Sequence, residues 1–397
     1  MNKPQMEIMQ VLDLQTSPSP KKTGLEQKKT ASTPFKNKLR KTGPRFTIKK
    51  NLHIKPQDIR LRNLEWVPEA ELHTARDCLG ITSVNGRIYA IGGRTSIGND
   101  SLFQKEASLV DAYDPSTKTW VTKEAMLYPH AGNAAATGSD DKIYSFGGYI
   151  KMTENNYNDP RYKILAASGS ISNIVQQYDP SKNTNAWSLK PPMPRERVFH
   201  AAVSTADGFI YVFGGYGIER TWPDPSNPSE KSSQVIKLNK TDKYNVQTDT
   251  WADAAPMQTP RSGPAAVLGK DGLIYVMGGL GENCQWLPTV EAYNPAEDSW
   301  EQKTDMPTPR GAFSAVIDNE GKIYAIGGVC EHDSTDTVDI YDPASDAWET
   351  GTSILVDRLS HGAVTTDQNI IYVVGGSQHN KSAGIKKLLS SVISSSL

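Results

Sequence analysis

Cysteine is scarce in this chain: three among 397 residues. So few exclude a disulfide-stapled scaffold and suit a reducing compartment. No run reaches the roughly 18 uninterrupted apolar residues that a membrane span needs, so no span is expected. The opening MNKPQMEIMQVLDLQ lacks a basic stretch followed by an apolar one, so no secretion signal is expected either. There is no phosphate-cradling glycine loop, no GxSxG and no HExxH. Net charge is almost absent, at −1, with 43 Lys+Arg against 44 Asp+Glu.

That near-zero total hides a split. Residues 1–62 hold 15 basic and 4 acidic residues, a formal +11, which leaves −12 for the remainder. The basic stretch KKTGLEQKKTASTPFKNKLRKTGPRFTIKK has few aromatics and no sustained period. Low hydrophobicity and high charge do not offset the entropy of ordering, so residues 1–60 are expected to be a disordered tail. Such an arm suits nucleic acid, an anionic membrane or a nuclear import signal around Lys36, Lys38, Arg40 and Lys41. The plainer reading is a solvated linker.

What is abundant is repetition. Gly-Gly occurs at 92–93, 147–148, 214–215, 278–279, 327–328 and 375–376. Three residues before each pair stands a tyrosine (Tyr89, Tyr144, Tyr211, Tyr275, Tyr324, Tyr372), each preceded by isoleucine. Trp66, Trp120, Trp187, Trp251, Trp300 and Trp348 each lie ten residues before a basic position: Arg76, His130, Arg197, Arg261, Arg310 and Arg358. The first Gly follows that position by 16 residues in the first unit and 17 in the other five. Within a unit, a small apolar strand leads through a tight turn such as Asn85-Gly86 or Asp271-Gly272 to a continuous apolar strand. That strand is buried on both faces and ends at the glycine pair. A third strand and turn follow, as in AYNPAEDSW, and a fourth strand carries the tryptophan, placed to pack with the third-strand tyrosine.

Four antiparallel strands repeated around an axis make a β-propeller. The Gly-Gly pair, the Tyr-x6-Trp spacing and the arginine after the fourth strand resemble the kelch repeat, over about residues 61–397. The resemblance implies an all-β, six-bladed kelch-type propeller behind the basic tail. Trp66 has no Gly-Gly before it, and Gly375-Gly376 has no Tyr…Trp after it. The last blade is therefore expected to take its fourth strand from residues 61–70, paired with a strand near 383–393.

Antiparallel order puts the loop with the basic residue and the loop after Gly-Gly on one face, at the mouth of the central channel. In kelch proteins, the resemblance implies, this face binds partners. The candidate partner-binding residues are Arg76, His130, Arg197, Arg261, Arg310 and Arg358, with His200, Phe313 and His361 three residues beyond such positions. Tyr149, Tyr216 and Trp222 join them on the long loops after the second and third glycine pairs. Arginine suits carboxylates and phosphates. Its recurrence in every unit equally suits a structural role. Cys284, Cys330 and His332 fall on neighbouring loops, but their spacing matches no metal-ligand pattern. No catalytic residue, metal or cofactor is assigned.

Three functions compete. The first is a scaffold holding a protein segment, acidic or polar, at an arginine-rimmed mouth. The second is an enzyme on a small anionic ligand, as in the sialic acid mutarotases among six-bladed kelch propellers, with Glu196 shuttling protons. The third is an adaptor using the tail for nucleic acid or anionic membrane. A monomer, cytoplasmic or nuclear, is expected in each case.

Overall fold

The repeat unit folds as the spacing predicts. In the first, Gly80–Val84, Arg87–Ile91, Val110–Asp114 and Thr119–Thr122 form a four-stranded antiparallel sheet in sequence order. The first two strands turn at Asn85-Gly86, both with positive φ, which fits the right-handed twist of a hairpin. Equivalent sheets begin at Ala134–Thr137, Ala201–Ser204, Ala265–Leu268, Ser314–Ile317 and Gly362–Thr365. The first strands of neighbouring blades touch all the way round, that of blade 6 against that of blade 1. This computed structural model is a closed six-bladed β-propeller, and it describes residues 64–95, 107–150, 171–221, 232–380 and 385–397. The expected tail over 1–60 lies outside the described residues, as does the middle of each long loop. Among the described residues no helix is long and apolar enough to cross a membrane.

The core is divided among the six gaps between blades, each filled by its own apolar cluster. The tyrosine and tryptophan of strands three and four sit opposite each other in five blades. Their ring centroids are 5.0 or 5.1 Å apart, tilted, from Tyr113–Trp120 to Tyr341–Trp348. Each indole N–H then donates to a backbone carbonyl just past the fourth strand of the preceding blade: Trp120 to Ala70, Trp187 to Glu124, Trp251 to Pro191, Trp300 to Ala255 and Trp348 to Thr304. The tryptophan thus contributes both apolar area and a directional tie between blades.

Blade 6 closes the ring as expected, with one shift. Val67–Glu69 pairs antiparallel with Val392–Ser396, Val67 opposite Ser394. The third strand therefore lies further along the chain than 383–393. Residues Ile385–Leu388 instead pair with Ser377–Asn380 as a separate hairpin. Trp66 completes the pattern, donating to the Thr352 carbonyl of blade 5 at 3.1 Å. Ser395 stands where the other blades carry tyrosine.

Candidate functional site

The Gly-Gly pair is a docking notch between blades, and that explains why both positions lack a side chain. A Cβ on the first glycine would stand 2.5–2.7 Å from the carbonyl oxygen of the next blade's basic residue, in all six blades. The second glycine has positive φ throughout and donates its N–H to that same carbonyl, as Gly279 does to Arg310 at 2.9 Å. A Cβ there would also crowd the residue three beyond the blade's own basic position, for example Phe313 Cβ at 2.7 Å from Gly328. The motif therefore carries each blade's entry loop over the neighbouring sheet and onto the channel.

The basic side chains do not rim the mouth. Arg76, His130, Arg197, Arg261, Arg310 and Arg358 are all fully buried, each turned into its own blade. Arg76 meets Asp111 at 2.8 Å and Arg310 meets Asp339 at 2.6 Å; Arg197 pairs with Asp242 and Arg261 with Glu291. The guanidinium also caps carbonyls just after the second strand and just before the third, as with Arg261 on Gly278 and Thr289. In blade 2 a neutral pair takes over: His130 Nδ1 lies 3.1 Å from Gln176 Nε2. In blade 6 the carboxylate position is Ile393, so among the described residues the terminal nitrogens of Arg358 donate to Gly375 O, Ser391 O and Ser391 Oγ and to no acid. Burial, partly offset by Asp357, lowers its pKa to about 10.

This difference is testable. Arg261→Met would strand the buried Glu291 carboxylate and should cost about 3–5 kcal/mol. Arg358→Met strands no acid and should cost roughly 1–2 kcal/mol through orphaned carbonyls. Thermal melts of the two variants decide it, and equal losses would remove the ion pair as the cause.

Two residues beyond each basic position the chain turns left-handed in every blade: Cys78, Gly132, Phe199, Gly263, Ala312 and Ser360 have φ between 52° and 69°. That turn aims each N–H at the carbonyl of the equivalent residue in the preceding blade. Cys78 donates to Ser360, Ser360 to Ala312, Ala312 to Gly263, Gly263 to Phe199, Phe199 to Gly132 and Gly132 back to Cys78, all at 2.7–2.9 Å. Six main-chain hydrogen bonds thus form a closed collar around the channel.

Above and within the collar lies a cavity of about 150 Å³. It is lined by the collar residues and by the next residue of each blade: Leu79, Asn133, His200, Pro264, Phe313 and His361. Ser262, Leu280, Trp286 and Val329 complete it from blades 4 and 5. Trp286 is held by an indole hydrogen bond to Glu331 O at 3.1 Å. It leans over Gly311, where a Cβ would come within 2.6 Å of its ring. Blades 1, 2, 3, 4 and 6 carry Asp77, Ala131, Val198, Ser262 and Leu359 at the Gly311 position, so only blade 5 leaves this space.

Of the residues singled out from sequence, His200, Phe313 and His361 come together at the cavity. Tyr216 is buried and Tyr149 half-buried, both in a cluster with Ile171 and Val198 that supports one wall. Trp222 lies outside the described residues. Sequence reasoning missed Asn133 and Trp286 as lining groups. Burial holds the His200 and His361 imidazoles neutral, at pKa about 3, with Arg197 and Arg358 adding to the effect. Burial raises the Cys78 thiol to about 12, so it is not a nucleophile. Among the described residues no cluster of His, Cys, Asp and Glu could hold a metal.

Comparison with known proteins agrees with this architecture. The family model for the KLHDC2/KLHL20/DRC7 Kelch-repeats domain matches residues 78–304 and 229–390. The chain is 27% identical to human "Kelch repeat and BTB domain-containing protein 12" over 209 residues, 51% of this chain and 30% of that protein. It is 30% identical to "Beta-scruin" of Limulus polyphemus over 151 residues, 38% of this chain and 14% of that one. With human "Kelch-like protein 15" it shares 29% identity over 251 residues, 51% of this chain and 38% of that protein. The chain thus spans less than two fifths of the length of these relatives. Six repeats, each with the glycine notch and the buried basic residue, and five of them with the Tyr–Trp pair, together with the family match across the wheel, make this chain a member of the kelch-repeat family.

Proposed function

We propose that this propeller is a protein-interaction scaffold that seats a partner segment in the channel mouth. The observation that carries the reading is the cavity itself. Every blade contributes to it, its walls are mainly apolar and aromatic, and Trp286 stands at its edge as a rigid anchor of the kind interfaces favour. Of the expected acidic or polar segment, the acidic form gives way to an uncharged, apolar-anchored one. The arginines that would have gripped a carboxylate are sealed inside the blades and occupied. The same burial deprives a mutarotase-like reaction of its clamp on a sugar carboxylate. An adaptor role for the tail rests on residues outside those described.

The test is cross-linking of a partner to the full chain, beside Trp286→Ala and Gly311→Leu. The second variant displaces the Trp286 ring with the residue type that blade 6 carries as Leu359. A partner whose cross-linking falls at least tenfold in both variants, with melting temperatures kept, supports the scaffold. A partner retained by both places recognition elsewhere.

A further inference from the structure

We propose that the basic segment 21–62 docks on an acidic face of its own wheel, on the side away from the channel mouth. This does not rest on the reading above, because it concerns the opposite face.

Topology decides where the charge gathers. Each first strand starts at the mouth, so the turn after it and the turn between strands three and four both lie on the far side. With their flanking residues, and with the two residues by which the described chain enters blade 6, these turns are 64–65, 85–87, 114–119, 138–142, 179–186, 205–208, 245–249, 269–273, 294–299, 318–322, 342–347 and 366–369. They hold 15 Asp+Glu against 6 Lys+Arg, a formal −9, while the rest of residues 63–397 sums to −3.

The acids gather in pairs for a structural reason. A second-strand tyrosine of one blade packs on the third-strand tyrosine of the next, and each gives its hydroxyl to an aspartate in a turn of its own blade. Tyr275 and Tyr341 lie 5.6 Å apart and donate to Asp271 at 2.6 Å and Asp346 at 2.5 Å. Tyr144 and Tyr244, also 5.6 Å apart, donate to Asp140 at 3.0 Å and to Asp249. Two carboxylates thereby meet at one gap between blades. Hydroxyls keep others ionised: Ser116 holds Asp114 and Ser181 holds Asp179 below the ordinary carboxylate range. Arg87, Lys142, Lys182 and Lys190 meet Asp114, Asp140, Asp179 and Asp249. The exposed Glu65, Asp141, Asp207, Glu297 and Asp367 have no ion pair among the described residues. Like charges collected on one face repel each other, and a polycation relieves that repulsion.

The chain carries such a polycation and leads it to this face. Leu64 stands two residues before Trp66, the place that Lys118, Asn185, Asp249, Asp298 and Asp346 take in the turns of the other blades. Continuing the Val67–Ser394 register sets Leu64 level with Leu397, whose N–H donates at 3.1 Å to Asn369 O in the first turn of blade 6. Immediately before it, residues 21–62 carry 14 Lys+Arg against 2 Asp+Glu. That segment spans at most about 140 Å, against a wheel about 50 Å across, so its length reaches every blade. The covalent join sets an effective concentration on the order of millimolar. Many weak, screened pairs then suffice, with no single tight one.

The test is zero-length carbodiimide cross-linking of the full chain, which joins a lysine to a carboxylate in direct contact, in a mixture of unlabelled and heavy-isotope-labelled protein. Cross-links from Lys36, Lys38, Lys41, Lys49, Lys50 and Lys55 should fall on the acidic face at least tenfold more often, per carboxylate, than on mouth-side acids such as Glu219, Glu282 and Asp336. They should join residues of one chain, and fall at least fivefold from 50 to 500 mM salt. The Glu65→Lys/Glu297→Lys/Asp367→Lys variant takes the face from −9 to −3. It should lose at least fivefold of the cross-links to the remaining turn acids, with its melting temperature kept. The Lys36→Glu/Lys38→Glu/Lys41→Glu variant alters no residue of the wheel and should weaken the cross-links of Lys49, Lys50 and Lys55 to the same extent. It decides the matter if the first variant melts early. Cross-links spread evenly over both faces, cross-links joining labelled to unlabelled chains, indifference to salt, or indifference to the lysine substitutions in the segment would each overturn the proposal.

Discussion

Taking the protein from pH 7 to pH 5 should remove roughly 6 kcal/mol of its stability, about 2 kcal/mol for each of three buried histidines. His130, His200 and His361 are held neutral in the folded state at pKa about 3, in each case chiefly by burial. In the unfolded chain each titrates near 6.5. Between these values the unfolded state binds more protons, so stability rises with pH. It is complete above about 6.5 and is lost as pH falls through that value. Carboxylates add nothing in this window. Asp249, lowered by the Tyr244 hydroxyl, and Asp298, lowered by the Ala255 amide and the Tyr293 hydroxyl, lose their share only below their ordinary range. For a wheel of this size the loss corresponds to about 10 °C in melting temperature. The His200→Phe/His361→Phe double variant should retain about a third of the slope. A wild-type melting temperature that does not move between pH 7 and pH 5 would show that the rings are not desolvated as described.

The Leu64→Ala/Trp66→Ala double variant should lose about 5–10 kcal/mol, as much as a whole domain commonly has to spare. Both side chains are at least 94% buried, in the cluster between blades 5 and 6. The loss includes the tie from the Trp66 indole to the Thr352 carbonyl, while the bond from the Leu64 amide to Thr352 Oγ1 survives truncation. The same strand supports blade 1, where Tyr113 donates to Glu69 and Trp120 to the Ala70 carbonyl. Denaturant unfolding should therefore shift far to lower concentration and lose its single sharp transition. A shift under about 2 kcal/mol would mean that the short ladder at Val67–Glu69 does not fasten the wheel.

The wheel was legible because its unit is written six times at fixed spacing, and because each element carries a distinct mark. The role of the arginines was legible only in part. The sign lay two residues before the third-strand tyrosine, where Asp111, Asp242, Glu291 and Asp339 accompany an arginine, Gln176 accompanies His130, and Ile393 leaves Arg358 without an acid. A charge that finds its opposite within each unit is bound inward. The left-handed collar left no mark, because only Gly132 and Gly263 among its six members are glycine. Trp286 was hidden for a different reason: its place at the cavity depends on the missing side chain of Gly311, on a different blade. The closing strand was found, but its partner was set too early, because Ser377–Asn380 and Ile385–Leu388 form a hairpin that sequence alone does not separate from the ladder at Val392.

The collar is built of peptide groups and asks nothing of the residues above it. Leucine, asparagine, histidine, proline and phenylalanine all occupy that next tier in this one molecule, on six identical footings. The machinery that keeps the wheel round is thereby uncoupled from the surface that does the grasping. A lineage could trade one guest for another by changing single letters on the upper tier, without renegotiating the architecture beneath.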